Sequence, residues 1–288
     1  MALDTKSYAL PIARSVADLR ETVANWVSAG ETVALVPTMG ALHAGHLSLV
    51  DLAREKADHA IVSIFVNPTQ FAPSEDLDAY PRQEAADAEA LSGKATLIFA
   101  PTAAEMYPEG FSTTVSVSGV SEPLEGTFRP THFAGVATVV SKLLLAALPD
   151  IAIFGEKDWQ QLMVIRRMVA DLGIPVEVLG GPIMREPDGL AMSSRNVYLT
   201  LDERQVAGQL NVILRETADK AADGMPISQA VEDGSARILA AGFDTLDYLE
   251  IRHAASLAPF ADDKADSEAR ILVAAKIGRT RLIDNMPV

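Results

Sequence analysis

The chain of 288 residues contains no cysteine. Disulfides, thiolate nucleophiles and cysteine-ligated zinc are therefore excluded, and a reducing cytoplasm is the expected setting. Positive charge is scarce: 24 Lys and Arg against 39 Asp and Glu leave a formal net charge of −15. That balance argues against a nucleic-acid backbone as a standing partner, although a few local cations could still hold a small polyanion. Long apolar runs are also missing. The stretch Ser141–Pro149 (SKLLLAALP) ends well short of a membrane span. No basic segment followed by an apolar core opens the chain, so neither a membrane partner nor a signal peptide is expected.

Apolar residues make up 49% of the chain, enough for a substantial core. They fall into short runs at Thr32–Val36, Ala60–Val66, Thr96–Ala100, Ile151–Gly155 and Val176–Leu179. Helix-period segments lie between them at Leu47–Ala57, Glu84–Leu91, Val136–Ala147 and Trp159–Leu172. Strands that are apolar throughout, with no alternation, suggest burial on both faces of a parallel sheet. Strand–helix alternation then predicts an α/β, Rossmann-like, doubly wound parallel sheet, with ligands at the carboxyl ends of the strands. The pattern changes after Met184: two helical segments (Asp202–Ala222 and Ile227–Ala241) precede strand-like Leu246–Arg252 and Arg270–Ile277. Neither late strand has a crossover helix. A Rossmann-like domain over residues 1–184 and a smaller α+β domain over 185–288 are expected, with the boundary in a turn-rich stretch.

The densest chemical signal is Val33–His46 (VALVPTMGALHAGH). An apolar run meets a proline, then a loop with Gly40, then His43 and His46 three residues apart around Gly45. A helix N-terminus offers unpaired N–H groups and the positive end of a dipole, which suit phosphate oxygens. The two imidazoles add donors on one face of the turn, and Gly45 allows close approach of a nucleotide.

A second constellation is Met192-Ser193-Ser194-Arg195-Asn196. Alone it reads as a serine-capped turn with a solvated arginine, but two hydroxyls and a guanidinium can also hold a triphosphate. Two further segments follow strands: SIFVNPTQF, carrying Gln70, and FGEKDWQQ, carrying Lys157, Asp158 and Gln161 on one face. Lysine is unfavourable at the positive end of a helix dipole unless an anion binds there.

The H-x-G-H and M-S-S-R pair resembles the signatures of the nucleotidylyltransferase and class I aminoacyl-tRNA synthetase superfamily. With SIFVNPTQF, EGTFRPTHFAGV, FGEKDWQQ, DGLAMSSRN and the C-terminal RLIDN, the chain is similar to the pantothenate synthetase (pantoate–β-alanine ligase) family from Val36 to Asn285. The resemblance implies ATP-dependent condensation of pantoate with β-alanine through a pantoyl adenylate, with Mg²⁺ accompanying ATP, a C-terminal domain that acts as a lid, and a homodimer. It implies ATP contacts from Met39, Gly40, Ala41, Leu42, His43, Ala44, Gly45 and His46. Gly155, Glu156, Lys157, Asp158, Met184, Met192, Ser193, Ser194 and Arg195 complete the nucleotide set. The catalytic groups implied are His46, as a proton donor to the phosphates, with His43, Lys157 and Arg195. Gln70 and Gln161 are implied to bind pantoate and β-alanine, Arg129 and His132 to wall the cavity, and Asp87 to ligate the metal. The alternatives are a related nucleotidylyltransferase that adenylates another small acid, or a binding protein without turnover.

Overall fold

In a computed structural model, the structure describes residues 10–71, 77 and 80–288. The opening nine residues, on which the expectation of no signal peptide partly rests, lie outside it. Six strands form a parallel sheet: β1 (Ile12–Ala13), β2 (Val33–Thr38), β3 (His59–Ile64), β4 (Leu97–Phe99), β5 (Ile151–Gly155) and β6 (Glu177–Gly181), in the order β1-β4-β3-β2-β5-β6. Helices α1 (Val16–Ser28), α2 (Ala44–Lys56), α3 (Glu84–Leu91), α4 (Ala103–Met106), α5 (Glu125–Phe128), α6 (His132–Ala147) and α7 (Trp159–Leu172) accompany this sheet. Two separate apolar clusters cover its faces, one including Leu35, Ile61 and Phe99, the other Val36, Val62 and Ile98. Adjacent strand residues thus enter opposite layers, which is why these strands are apolar throughout. The doubly wound reading is correct, and the Glu84–Leu91 and Trp159–Leu172 helices have the expected ends.

After the 3₁₀ turn Ser194–Tyr198 come α8 (Leu201–Ala222) and α9 (Ile227–Ala240). They pack on an antiparallel sheet of β7 (Thr245–His253), β8 (Ala269–Ile277) and β9 (Thr280–Pro287). Strand β8 explains how this sheet fits: Ile271, Val273 and Ala275 join the cluster under α8 and α9, whereas Leu272 and Ala274 join the core of the first sheet. An antiparallel sheet is here buried on both faces, between its own helices and the α/β layer.

Some elements differ from expectation. The helix at the histidine motif starts at Ala44 rather than Leu47, because His43 itself caps it. Helix α6 starts at His132, one turn before the expected Val136. Helix α1 was not expected, although Ser15 caps it by accepting from Asp18 N, with Leu19 and Val23 buried. Strand β9 was also not expected, and it buries Asp284 and Asn285, residue types depleted in strands.

Candidate active site

Strand order changes direction at β2, which pairs with β3 on one side and β5 on the other. Crossovers leave in opposite senses there, and a crevice opens beyond the carboxyl ends of the strands. The loops after β2 and β5 supply the histidine motif and Gly155–Asp158. A cavity of about 230 Å³ lies in this crevice, lined among others by Met39, His43, Gly45, His46, Gly155, Lys157, Asp158 and Met184. Met192, Ser193, Ser194 and Arg195 close one side, and Gln70, Arg129, His132 and Gln161 another. The cavity shares Arg129, Lys157, Ser193 and Arg195 with a neighbouring cleft of about 670 Å³ between the two sheets.

The loop after β2 is held by a carboxylate. Asp87, 1% exposed on α3, accepts from the backbone N–H of Ala41 (3.0 Å, Oδ2) and of Leu42 (2.8 Å, Oδ1). Gly40 sits at φ +83°, and a Cβ there would meet Asp87 Oδ2 at 3.0 Å, so the residue type and the close approach go together. Asp87, expected as the metal ligand, therefore has both oxygens on the loop backbone. Among the described residues no three His, Asp or Glu side chains converge as a metal cage.

The two histidines cap α2 reciprocally. His43 Nδ1 accepts from Gly45 N–H at 3.2 Å, and His46 Nδ1 accepts from the His43 N–H at 3.3 Å. A ring nitrogen that accepts a backbone N–H carries no proton, so each neutral ring keeps its proton on Nε2. The rings lie 4.0 Å apart. Burial, with the Lys157 charge second, lowers the His43 pKa. Burial, then His43 and Lys157, takes His46 down to about 3. Near neutral pH both rings are therefore uncharged N–H donors, so His46 can give a ligand a hydrogen bond but not a labile proton.

Lys157 sits in the 3₁₀ turn Glu156–Asp158, with Asp158 at 3.8 Å. Gln70 is anchored at both ends of its amide: Asn67 Nδ2 donates to Oε1 (3.1 Å) and Nε2 points at Met39 Sδ (3.3 Å). Its backbone carbonyl accepts from Arg129 (3.4 Å) and lies 3.0 Å from His132 Nδ1. These two wall residues thus steady the Gln70 loop. Ser193 caps the turn that presents Arg195 by accepting its N–H at 3.3 Å.

The pantoate–β-alanine ligase family model matches residues 11–287. The chain belongs to the pantoate–β-alanine ligase family. It is 58% identical over 283 residues to the pantothenate synthetase of Paramagnetospirillum magneticum, covering 98% of this chain and 99% of that one. It is 57% identical over 280 residues to that of Caulobacter vibrioides, covering 96% and 98% respectively. The crystal structure of pantothenate synthetase from Thermus thermophilus superposes with a TM-score of 0.90 at 45% identity, over 96% of this chain and 98% of that one. The pantoate–β-alanine ligase of Francisella tularensis, complexed with β-γ ATP and β-alanine, gives 0.82 at 34% identity, over 97% and 98%.

For a pantoate–β-alanine ligase, the cavity gathers most of the residues anticipated from sequence, but not all. Gly40, Ala41, Leu42 and Ala44 shape the β2–α2 loop without lining the cavity. Glu156 turns away, 3.7 Å from Arg270. Several lining residues were not anticipated. Tyr80, 5% exposed, approaches Ser194 Oγ at 3.4 Å. Asn67, 1% exposed, also receives Tyr107 Oη at 2.7 Å. An apolar wall comes from Val136, Val139, Val140 and Leu143 on α6. Asn67 lay inside a recognised motif, so its signal was present, whereas the α6 wall looks like any core face in sequence. The neighbouring glutamines divide the work: Gln160 holds the 120–125 turn through Val120 O (2.9 Å) and Pro123 O (2.7 Å), and Gln161 lines the cavity.

Proposed function

We infer that this chain condenses pantoate with β-alanine by the two-step chemistry of its family, using the residues assembled at the β2–β5 crevice. In the first step a pantoate carboxylate oxygen attacks the α-phosphorus of ATP. The bond to the bridging oxygen of the β-phosphate breaks and pyrophosphate leaves. In the second step the β-alanine amine attacks the acyl carbon of the adenylate, releasing AMP and forming the amide.

No enzyme nucleophile is required, so catalysis rests on alignment and on neutralising phosphate charge. Lys157 and Arg195 supply fixed positive charge. His43 and His46 supply neutral Nε2–H donors beside the N-terminal amides of α2, which stabilise phosphate oxygens without holding a proton that must be lost. Gly155, Asp158 and Met184 border the nucleoside, and Ser193 and Ser194 the triphosphate. Gln70 and Gln161 bind pantoate, with the α6 apolar wall receiving its methyl-bearing carbon chain. The single observation that carries this reading is the convergence of His43, His46, Lys157 and Met192–Arg195 on one cavity beside Gln70 and Gln161.

Mg²⁺ enters this reading bound to ATP, with phosphate oxygens and water as its ligands. Asp87 is already engaged by the loop, so no catalytic step is assigned through it. Residues 185–288 act as the lid that excludes water from the adenylate, working from a boundary near Met184. The chain works as a homodimer in the cytoplasm. Its lack of cysteine supports the compartment, and the family resemblance supports the homodimer.

The test is pantoate-dependent exchange of labelled pyrophosphate into ATP in the absence of β-alanine. Exchange is expected with pantoate and absent without it. Folded protein that shows no exchange with pantoate would overturn the reading.

A further inference from the structure

The C-terminal RLIDN motif is the part of the family resemblance to which no task has been given. Its last two residues, Asp284 and Asn285, lie in β9 at 3% and 2% exposure. Buried polar groups are tolerated where they are hydrogen-bonded, and both are bonded to segments that carry the phosphate-handling residues.

Asn285 reaches the turn that bears Lys157. Its Nδ2 donates to the carbonyls of Glu156 (3.0 Å) and Lys157 (2.8 Å), and its Oδ1 accepts from Arg270 Nε (2.7 Å). The orientation of the amide is dictated by its partners: two carbonyls can only accept and a guanidinium can only donate. Arg270 in turn lies over the Trp159 ring, 3.4 Å from its centroid, and Trp159 Nε1 donates to Ala254 O at 2.8 Å. The small antiparallel sheet therefore grips residues 156, 157 and 159 from outside the parallel one. No side chain caps this turn or the helix that follows it: Gly155 has none to offer, and Asp158 makes no capping bond.

Asp284 reaches the other way, as neighbours in a pleated strand do. It makes a two-pronged pair with Arg185, at 2.6 Å and 2.9 Å, and Arg185 also donates to Gly189 O at 3.0 Å. This pins a short hairpin closed by Arg185 pairing with Ala191, and by Met192 N–H donating to Met184 O at 2.9 Å. The hairpin runs directly into Met192–Arg195.

We propose that the Asp284–Asn285 dipeptide is a splint that sets the spacing between the Lys157 turn and the Arg195 loop, with Asn285 the positioning residue for Lys157. One residue step along β9 connects the two cation-bearing segments, the turn after β5 and the loop before α8, which lie 38 residues apart at Lys157 and Arg195. The proposal rests on the reading of Lys157 and Arg195 as the groups that hold ATP phosphates. Adenylate formation depends on both cations meeting one triphosphate, so the splint acts on turnover more than on substrate affinity.

The experiment is pyrophosphate exchange with Asn285→Ala, Lys157→Ala and the double variant, alongside thermal melts. Asn285→Ala is expected to lower exchange turnover by about 10-fold or more, the scale of a sub-ångström misplacement, while the KM for pantoate moves less than about threefold. If Asn285 acts through Lys157, adding Asn285→Ala to Lys157→Ala reduces turnover further by less than about threefold. A full additional loss in that background, or near-wild-type turnover of the single variant, overturns the splint. Should Asn285→Ala not fold, Asp284→Asn paired with Arg195→Ala gives the same cycle at the other end, and full additivity there overturns it equally. Wild-type protein without pantoate-dependent exchange overturns the functional reading and the splint together. Wild-type exchange with unaffected splint variants removes the splint alone.

Discussion

Gly135 offers a way to move the Gln70 loop, proposed above to bind pantoate, without changing a side chain of the cavity. It closes the first turn of α6, where a Cβ would stand 2.5 Å from the carbonyl oxygen of Thr69 and 2.7 Å from the Cα of Gln70. Ordinary contact begins near 3.4 Å, so in Gly135→Ala the 69–70 backbone must retreat by roughly 0.9 Å. The same backbone is tied to α6 by Asn67 Nδ2, which donates to Gly135 O at 3.2 Å, so the loop cannot retreat independently of its anchor. Two stability terms oppose each other: alanine favours a helix interior over glycine by about 1 kcal/mol, and overpacking costs about 1–3 kcal/mol. The net loss is therefore at most about 2 kcal/mol, and the melting temperature falls by only about 5 °C. Activity is expected to respond much more, because a displacement near 1 Å at a substrate-positioning group is worth about 100-fold. The assay is pyrophosphate exchange titrated with pantoate, together with calorimetric titration of ATP. The expected outcome is a kcat/KM for pantoate about 100-fold lower, with ATP binding within about threefold of wild type. Folded Gly135→Ala with unchanged pantoate kinetics would refute the close-approach argument.

Three further outcomes follow from the same geometry. His46 stays neutral in the folded chain down to about pH 3, whereas in the unfolded chain it titrates near its ordinary 6.5. The unfolded state therefore binds the extra proton first, so this contribution to stability is full above pH 6.5 and is lost as pH falls toward 3. It amounts to about 2 kcal/mol by pH 5, so in urea titrations at pH 7.5 and 5.0 His46→Gln should lose that much less than wild type, and equal losses would count against the neutral ring. Asp87→Asn keeps the shape but turns one acceptor into a donor facing a backbone N–H. The KM for ATP should rise by about 10-fold, consistent with one unmade buried hydrogen bond, while the Mg²⁺ midpoint at saturating ATP stays put; a shifted midpoint would make Asp87 a metal ligand after all. Burial alone would raise the Glu125 pKa, but the Arg281 fork at 2.7 and 2.8 Å and the Tyr248 hydroxyl at 2.8 Å hold it below the usual range. Arg281→Met leaves that buried carboxylate with the Tyr248 hydroxyl and Arg129 at 3.7 Å. It should cost up to about 3 kcal/mol in denaturant melts, and adding Glu125→Gln should recover much of it.

Much of the parallel sheet was legible because burial on both faces leaves a sequence mark: an apolar run with no alternation. The Trp159–Leu172 helix was legible for a related reason, since Leu162, Ile165 and Val169 recur at helical spacing and are all buried. Strand β9 was hidden because Asp284 and Asn285 are satisfied by Arg185 and Arg270, which lie about 100 and 15 residues away in sequence, and a local pattern cannot register such partners. The α6 wall of the cavity was hidden because Val136, Val139 and Val140 are as apolar as any core residues. Only the loops packed against them turn that face into a cavity lining.

The sequence alone determined the chemistry-bearing types and their local setting: a glycine loop ending in two histidines after a strand, a lysine where a helix dipole disfavours it, and a serine–arginine loop. These depend on neighbours within a few residues, where backbone geometry and side-chain type act directly. Tertiary structure alone decided that His43, Lys157 and Arg195 face one crevice, because that depends on strand order and on two sheets meeting. It also decided the protonation of the histidines, since burial and the Lys157 charge, both products of folding, strip the imidazoles of positive charge and leave them as donors. The task of Asp87 belongs to the same class. Its carboxylate suits a metal or a loop equally well in sequence, and the approach of Ala41 and Leu42 N–H is what assigns it to the loop.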